Sequence, residues 1–99
     1  MKVGTYGQKL YFTAKDENGE PIDLTTAREV IAHAKIGDYP KKTFQCTIED
    51  PEKGIVSYIL KEGDLDNHGI MYIELELIFP DTKFISDETF KIKIKKTIT

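Results

Sequence analysis

Few side chains in this sequence could act chemically on a substrate. Nucleophilic catalysis needs a hydroxyl or thiol, a base beside it and a group that orients the base. The chain holds Ser57, Ser86, Cys46, His33 and His68 for those roles. Cys46 falls on the apolar parity of its segment, where a buried thiol behaves as an inert small hydrophobe. His33 falls on the outward parity and reads as a solvated strand residue. No catalytic triad is expected. Asp64-Leu65-Asp66-Asn67-His68-Gly69 resembles a calcium loop, with carboxylates at positions one and three and Gly at six. Position twelve, where that geometry needs a bidentate Glu, is Leu75. Asp16-Glu17-Asn18-Gly19 places its Gly too early, and zinc has too few ligands. Both acidic stretches read as turns, with no metal and no cofactor expected. Tyr6, Tyr11, Tyr39 and Tyr72 could stack on a sugar, although Trp is absent. A carbohydrate-binding or cell-surface adhesive module is therefore the alternative reading. The Lys91, Lys93 and Lys95 ladder faces Glu74 and Glu76 on the preceding long segment, and cross-strand Glu–Lys pairs are expected there.

These residues must be carried by strands. Thirteen Ile, ten Thr and three Val outnumber four Ala and six Leu, and β-branched side chains pack well on a pleated surface. Six segments alternate with period two: Gln8–Lys15, Arg28–Ile36, Thr43–Glu49, Ile55–Lys61, Ile70–Phe79 and Glu88–Lys95. Leu10, Val30, Phe44, Val56, Ile73 and Ile92 represent their core parity. The breaks carry turn chemistry. Asn18-Gly19 suits positive φ, and Asp50-Pro51-Glu52-Lys53-Gly54 reads as a tight hairpin link that Gly54 closes in the left-handed region. Glu62–Gly69 is expected to hold one helical turn and Lys83–Ile85 a short extra strand. Strands at this spacing predict an all-β domain, an antiparallel sandwich of about six to eight strands.

Length and composition exclude several classes. The 99 residues suit one domain, residues 1–99 with a core near 8–95. At 39% hydrophobic and 31% charged, the chain is too rich in branched apolar side chains to be disordered. No apolar run approaches the ~20 residues of a membrane helix, and no signal peptide is recognisable. A net charge of −3 argues against a nucleic-acid partner. The single cysteine makes no intramolecular disulfide, which fits a reducing compartment.

The outward parity is more apolar than a monomer needs. Ile31, Ile55, Ile59, Ile70, Tyr72 and Ile78 all fall on it, and contiguous exposed apolar surface marks an interface. These six residues are the candidate interface.

The turns and strands together resemble a known family. Leu10 to Thr25 reads Leu-Tyr-Phe-Thr-Ala-Lys-Asp-Glu-Asn-Gly-Glu-Pro-Ile-Asp-Leu-Thr. This is similar to the opening of the N-terminal domain of siphophage baseplate upper proteins, where an apolar strand leads into Asp-x-Asp/Asn-Gly-x-Pro-x-Asp-Leu-Thr. Asp16, Asn18, Gly19 and Asp23 carry that turn motif. Gly54-Ile55-Val56-Ser57-Tyr58 resembles the family's hairpin, Gly69 through Glu76 its Gly-x-Tyr-x-Ala-Glu strand, and Ser86 to Ile92 its closing segment. Gly69 stands one residue further from Tyr72 than in the family pattern, and Pro80-Asp81-Thr82-Lys83 replaces an Asp-Gly turn. The resemblance implies an immunoglobulin-like β-sandwich that acts by being assembled. It implies a structural tail or baseplate protein, made in the host bacterial cytoplasm and carried in the virion. Its partners would be other tail or baseplate proteins or further copies of itself, with neither nucleic acid nor membrane.

Overall fold

The structure is a computed structural model and describes residues 1–98. Seven strands form in chain order: β1 (Lys9–Thr13), β2 (Glu29–Ile36), β3 (Lys42–Asp50), β4 (Ile55–Ile59), β5 (Gly69–Ile78), β6 (Lys83–Ile85) and β7 (Phe90–Ile94). The short strand expected at Lys83–Ile85 is present. No helix forms among the described residues, so the helical turn expected within Glu62–Gly69 is replaced by one tight turn at Glu62-Gly63 followed by bends. Leu65 is buried there as a plug of the core, which irregular backbone allows as well as a helix would.

Every strand pair is antiparallel, and the hydrogen-bonded path runs β1-β4-β3-β2-β5. β5, the longest strand, has β2 along one edge, while β7 and β6 share the other edge in succession. The all-β antiparallel expectation is met by one sheet of seven strands that curls into a half barrel. β3 makes the bend. Its first half, Lys42–Cys46, pairs with β2, whereas Thr47–Asp50 pairs with β4 across an irregularity between Ile48 and Asp50. A bulge of this kind increases local twist and re-aims a strand. Beyond Ser57 the register between β3 and β4 ends, and Phe44 and Tyr58 lie face to face with ring centroids 4.5 Å apart. Curling also brings β1 toward β7, where Phe12 and Phe90 meet at 5.1 Å.

The concave side of the sheet is the core. Val30, Ala32 and Ala34 of β2, Phe44 of β3, Val56 of β4 and Met71, Ile73, Leu75 and Leu77 of β5 are almost fully buried. Alternation alone puts them there, because successive strand residues point to opposite faces. Leu24, which lies on no strand, joins them from the loop after β1. Met1–Thr5 closes one end: Val3 N–H donates to Lys95 O at 3.0 Å, and Gly4 N–H donates to Leu65 O at 2.9 Å. The expected Glu–Lys ladder does not form. The β5–β7 register sets Lys91 opposite Tyr72 and Lys93 opposite Ile70, because β7 spans only the first half of β5 and Glu76 lies beyond it. Glu76 instead faces Ile85 of β6 and Ile31 of β2.

Candidate functional site

The convex face of the sheet carries the residues left over from the core. On it, β2 presents Ile31, His33 and Lys35, β3 presents Thr43, Gln45 and Thr47, and β5 presents Ile70, Tyr72, Glu74 and Glu76. The sheet register aligns Ile31 with Gln45 and Glu76, His33 with Thr43 and Glu74, and Lys35 with Tyr72.

The six candidate interface residues do not form one patch. Ile59, Ile70 and Tyr72 are exposed, whereas Ile31, Ile55 and Ile78 are half-buried. Ile31 and Ile59 come together across an open concavity of about 450 Å³ where β3 and β4 diverge, with Thr43, Gln45 and Lys61 among its walls. Tyr72 lines a second concavity of about 480 Å³ with Lys35, Lys41, His33 and Glu74. The Lys91 ammonium lies 5.7 Å from the Tyr72 ring centroid, within cation–π range. Ile70 sits one outward position along β5, beside Lys93. Ile55 and Ile78 are set apart at the other end of the sheet, Ile55 opposite Thr13 and Asp50, Ile78 opposite Glu29 and Lys83. Parity sorts residues by face, yet it carries no information on distance along the strand direction.

His33 is the residue that sequence reasoning undervalued. It borders both concavities, and its side chain is only 23% exposed. Nε2 lies 2.8 Å from Glu76 Oε1, and Nδ1 is buried without a partner. The hydrogen bond from His33 holds the Glu76 carboxyl below its ordinary value, and Lys83, 3.3 Å from Oε2, acts in the same direction. Two strands of the same sheet had to align for this contact to exist. In the sequence only the outward parity of both residues was visible.

On the β1–β4 side, Lys9 Nζ lies 2.7 Å from Glu49 Oε1, and Ser57 Oγ donates to the same oxygen at 2.7 Å. The lysine first and the serine second lower the Glu49 pKa. Ser57 is thus a buried donor to a carboxylate. Burial pushes the Cys46 thiol up to about 11, far from the thiolate that reacts.

The turn-motif residues are structural. Asp16 Oδ1 accepts the N–H groups of Asn18 and Glu20 at 2.9 and 3.0 Å, while Gly19 takes φ +81°. Asp23 accepts both the N–H and the hydroxyl of Thr25, which lowers its pKa. Gly54 is buried, at φ +69°. Gly69 begins β5 at φ +133°, and a Cβ there would stand 2.8 Å from Ile36 Cγ2. Asp64 of the calcium-like stretch accepts the Tyr58 hydroxyl at 2.7 Å and the Lys61 N–H at 2.8 Å, and Asp66 pairs with Lys42. Among the described residues no group of three or more potential metal ligands converges.

No protein-family model matches the chain, and neither a curated protein nor a solved structure matches it.

Proposed function

We propose that this domain is a non-catalytic structural module of a bacteriophage or prophage tail, of immunoglobulin-like type, that works through protein–protein contacts on its convex face. The observation that carries the reading is the apolar and aromatic content of that face. Ile59 is 55% exposed, Ile70 46% and Tyr72 44%, and Ile31 and Ile59 flank one open concavity. Side chains of this kind gain little in water and gain about 1.5–3 kcal/mol each when a partner covers them fully. The partner switch of β3 supports the finer assignment, since it divides the sheet into a β1-β4 part and a β2-β5 part whose inner aromatics stack. The turn sequence around Asp16–Asp23 supports the tail reading through its resemblance to baseplate upper proteins, and with it a place in the virion beside other tail proteins.

The test is complementation of a tail-deficient phage or prophage with the double variant Ile59→Lys and Tyr72→Lys. Both positions are exposed, so the fold is retained. Tails lacking the variant are expected. Normal incorporation of a folded variant rules the surface out, and selective retention of the wild-type domain on a glycan array moves the assignment to the carbohydrate-binding alternative.

A further inference from the structure

A sheet that does not close on itself ends in strands whose outer backbone groups lack a ladder partner, and such edges are templates for pairing with another chain. Here the hydrogen-bonded path ends in β1 on one side and in β6 and β7 on the other. The second side is protected. β6 is three residues long and holds Lys83 against Glu76. β7 carries Lys91 and Lys93, and Met1–Val3 covers its end, with Lys95 N–H donating to Met1 O at 2.7 Å and Val3 N–H to Lys95 O at 3.0 Å. β1 has no such protection. It is five residues long, contains no proline and keeps an unbroken register with β4, from Lys9 opposite Ile59 to Thr13 opposite Ile55. Its one charge, Lys9, is neutralised by Glu49 at 2.7 Å.

The bonds at the two ends of the β1–β4 ladder fix which residues face outward. Leu60 N–H donates to Gln8 O at 2.9 Å, and Ala14 N–H donates to Gly54 O at 2.8 Å. Antiparallel partners alternate between bonded and unbonded pairs. Leu10 and Phe12 therefore bond to β4, while Lys9, Tyr11 and Thr13 aim their N–H and C=O groups away from it. Among the described residues, none of those outward groups finds a backbone partner elsewhere. β7 meets β1 through side chains, Phe12 against Phe90, and Tyr11 stays 62% exposed. We propose that two copies of this chain pair β1 with β1, antiparallel about a two-fold axis at Tyr11, so that one sheet continues into the next. The occupant is a second copy because β1 is complementary to itself in that register. Tyr11 faces Tyr11 of the second copy and Lys9 faces its Thr13, which keeps the ammonium groups apart and leaves each on its own Glu49. All three outward residues then pair, giving about six backbone hydrogen bonds. On the inner face Leu10, half-buried in the single chain, comes opposite Phe12 of the second copy, an apolar cross-strand pair. The contact is isologous, so it stops at a dimer. It uses an edge and leaves the convex face free, and it does not depend on the tail reading.

The experiment is sedimentation velocity on the wild type, Tyr11→Pro and Tyr11→Thr, with disulfide trapping of Tyr11→Cys and Lys9→Cys. The wild type is expected to be dimeric at about 0.5 mM and to dissociate on dilution. Tyr11→Pro removes an N–H that makes no bond within the chain, and should lower the association constant about tenfold or more. Tyr11→Thr keeps that N–H and should still dimerise. Facing Tyr11 residues stand about 5.5 Å apart at Cα, inside the roughly 4.4–6.8 Å that a disulfide spans. The two Lys9 residues are offset by about 13 Å along the strands. Oxidation should therefore cross-link Tyr11→Cys about tenfold or more faster than Lys9→Cys; Cys46 is buried and does not compete. A wild type that stays monomeric at about 0.5 mM, or grows beyond a dimer, overturns the proposal. So does a folded Tyr11→Pro that dimerises as the wild type does, or loss of the dimer in Tyr11→Thr, which would place the contact in the tyrosine ring. Should Tyr11→Pro fail to fold, the cysteine pair decides: equal cross-linking at the two positions overturns the proposal.

Discussion

Replacing Gly54 by alanine tests the physical account of the end that carries the turn motif. Gly54 sits at φ +69°, and a Cβ built there stands 2.7 Å from Ile22 O, 2.9 Å from Ala14 O and 3.3 Å from Ile22 N. A left-handed alanine costs about 1–2 kcal/mol. The carbonyls cannot step aside freely, because Ala14 O accepts from Ile22 N–H and Ala14 N–H donates to Gly54 O, both at 2.8 Å. Loosening one or both of these bonds costs about 0.5–1.5 kcal/mol each. The expected destabilisation of Gly54→Ala is therefore about 2–4 kcal/mol, a large share of the roughly 5–15 kcal/mol typical of a domain. For a chain of this size that lowers the melting temperature by about 10–25 °C. Gly19→Ala is the control, since Gly19 has φ +81° but nothing within 4 Å of the added Cβ. It should lose only the conformational part, about 1–2 kcal/mol. Urea unfolding followed by circular dichroism measures both. Equal losses in the two variants would refute the close backbone approach at Gly54.

Leu75→Ala on the central strand removes a side chain with no exposure and should cost about 2–5 kcal/mol in urea unfolding, against roughly 0.5 kcal/mol or less for Ile59→Ala on the open face. Cys46, buried and with its thiol pushed up to about 11, should react with a thiol reagent at pH 8 only as fast as the domain opens; labelling at the rate of a free cysteine contradicts the burial. Glu76 has its folded carboxyl pKa held below the ordinary value, first by His33 and then by Lys83. Its stabilising contribution is therefore present above the ordinary carboxyl range and is lost as pH falls through the depressed value. Glu76→Gln should flatten that acid limb in urea midpoints taken from about pH 6 down to about pH 3, and an unchanged limb removes Glu76 as its source.

Much of the fold was legible because alternation is a local property. Val30, Ala32 and Ala34, or Met71, Ile73, Leu75 and Leu77, could be assigned to the core from neighbours in the chain alone, since the period of a strand is set by its own backbone. The same local chemistry marked the turns at Gly19 and Gly54, because both glycines take positive φ there. What the tertiary structure decided was which strand lies beside which, and with what offset. That offset put Tyr72 rather than Glu74 beside Lys91, joined His33 to Glu76 across two strands, and drew Ile31 and Ile59 together while leaving Ile55 and Ile78 at the far end. Burial of Leu24 and Leu65 from irregular backbone was likewise beyond any periodicity argument. Strand order and register follow from how all the apolar faces share one core and where β3 bends between two partners. Those are sums over the whole chain, and no window of the sequence contains them.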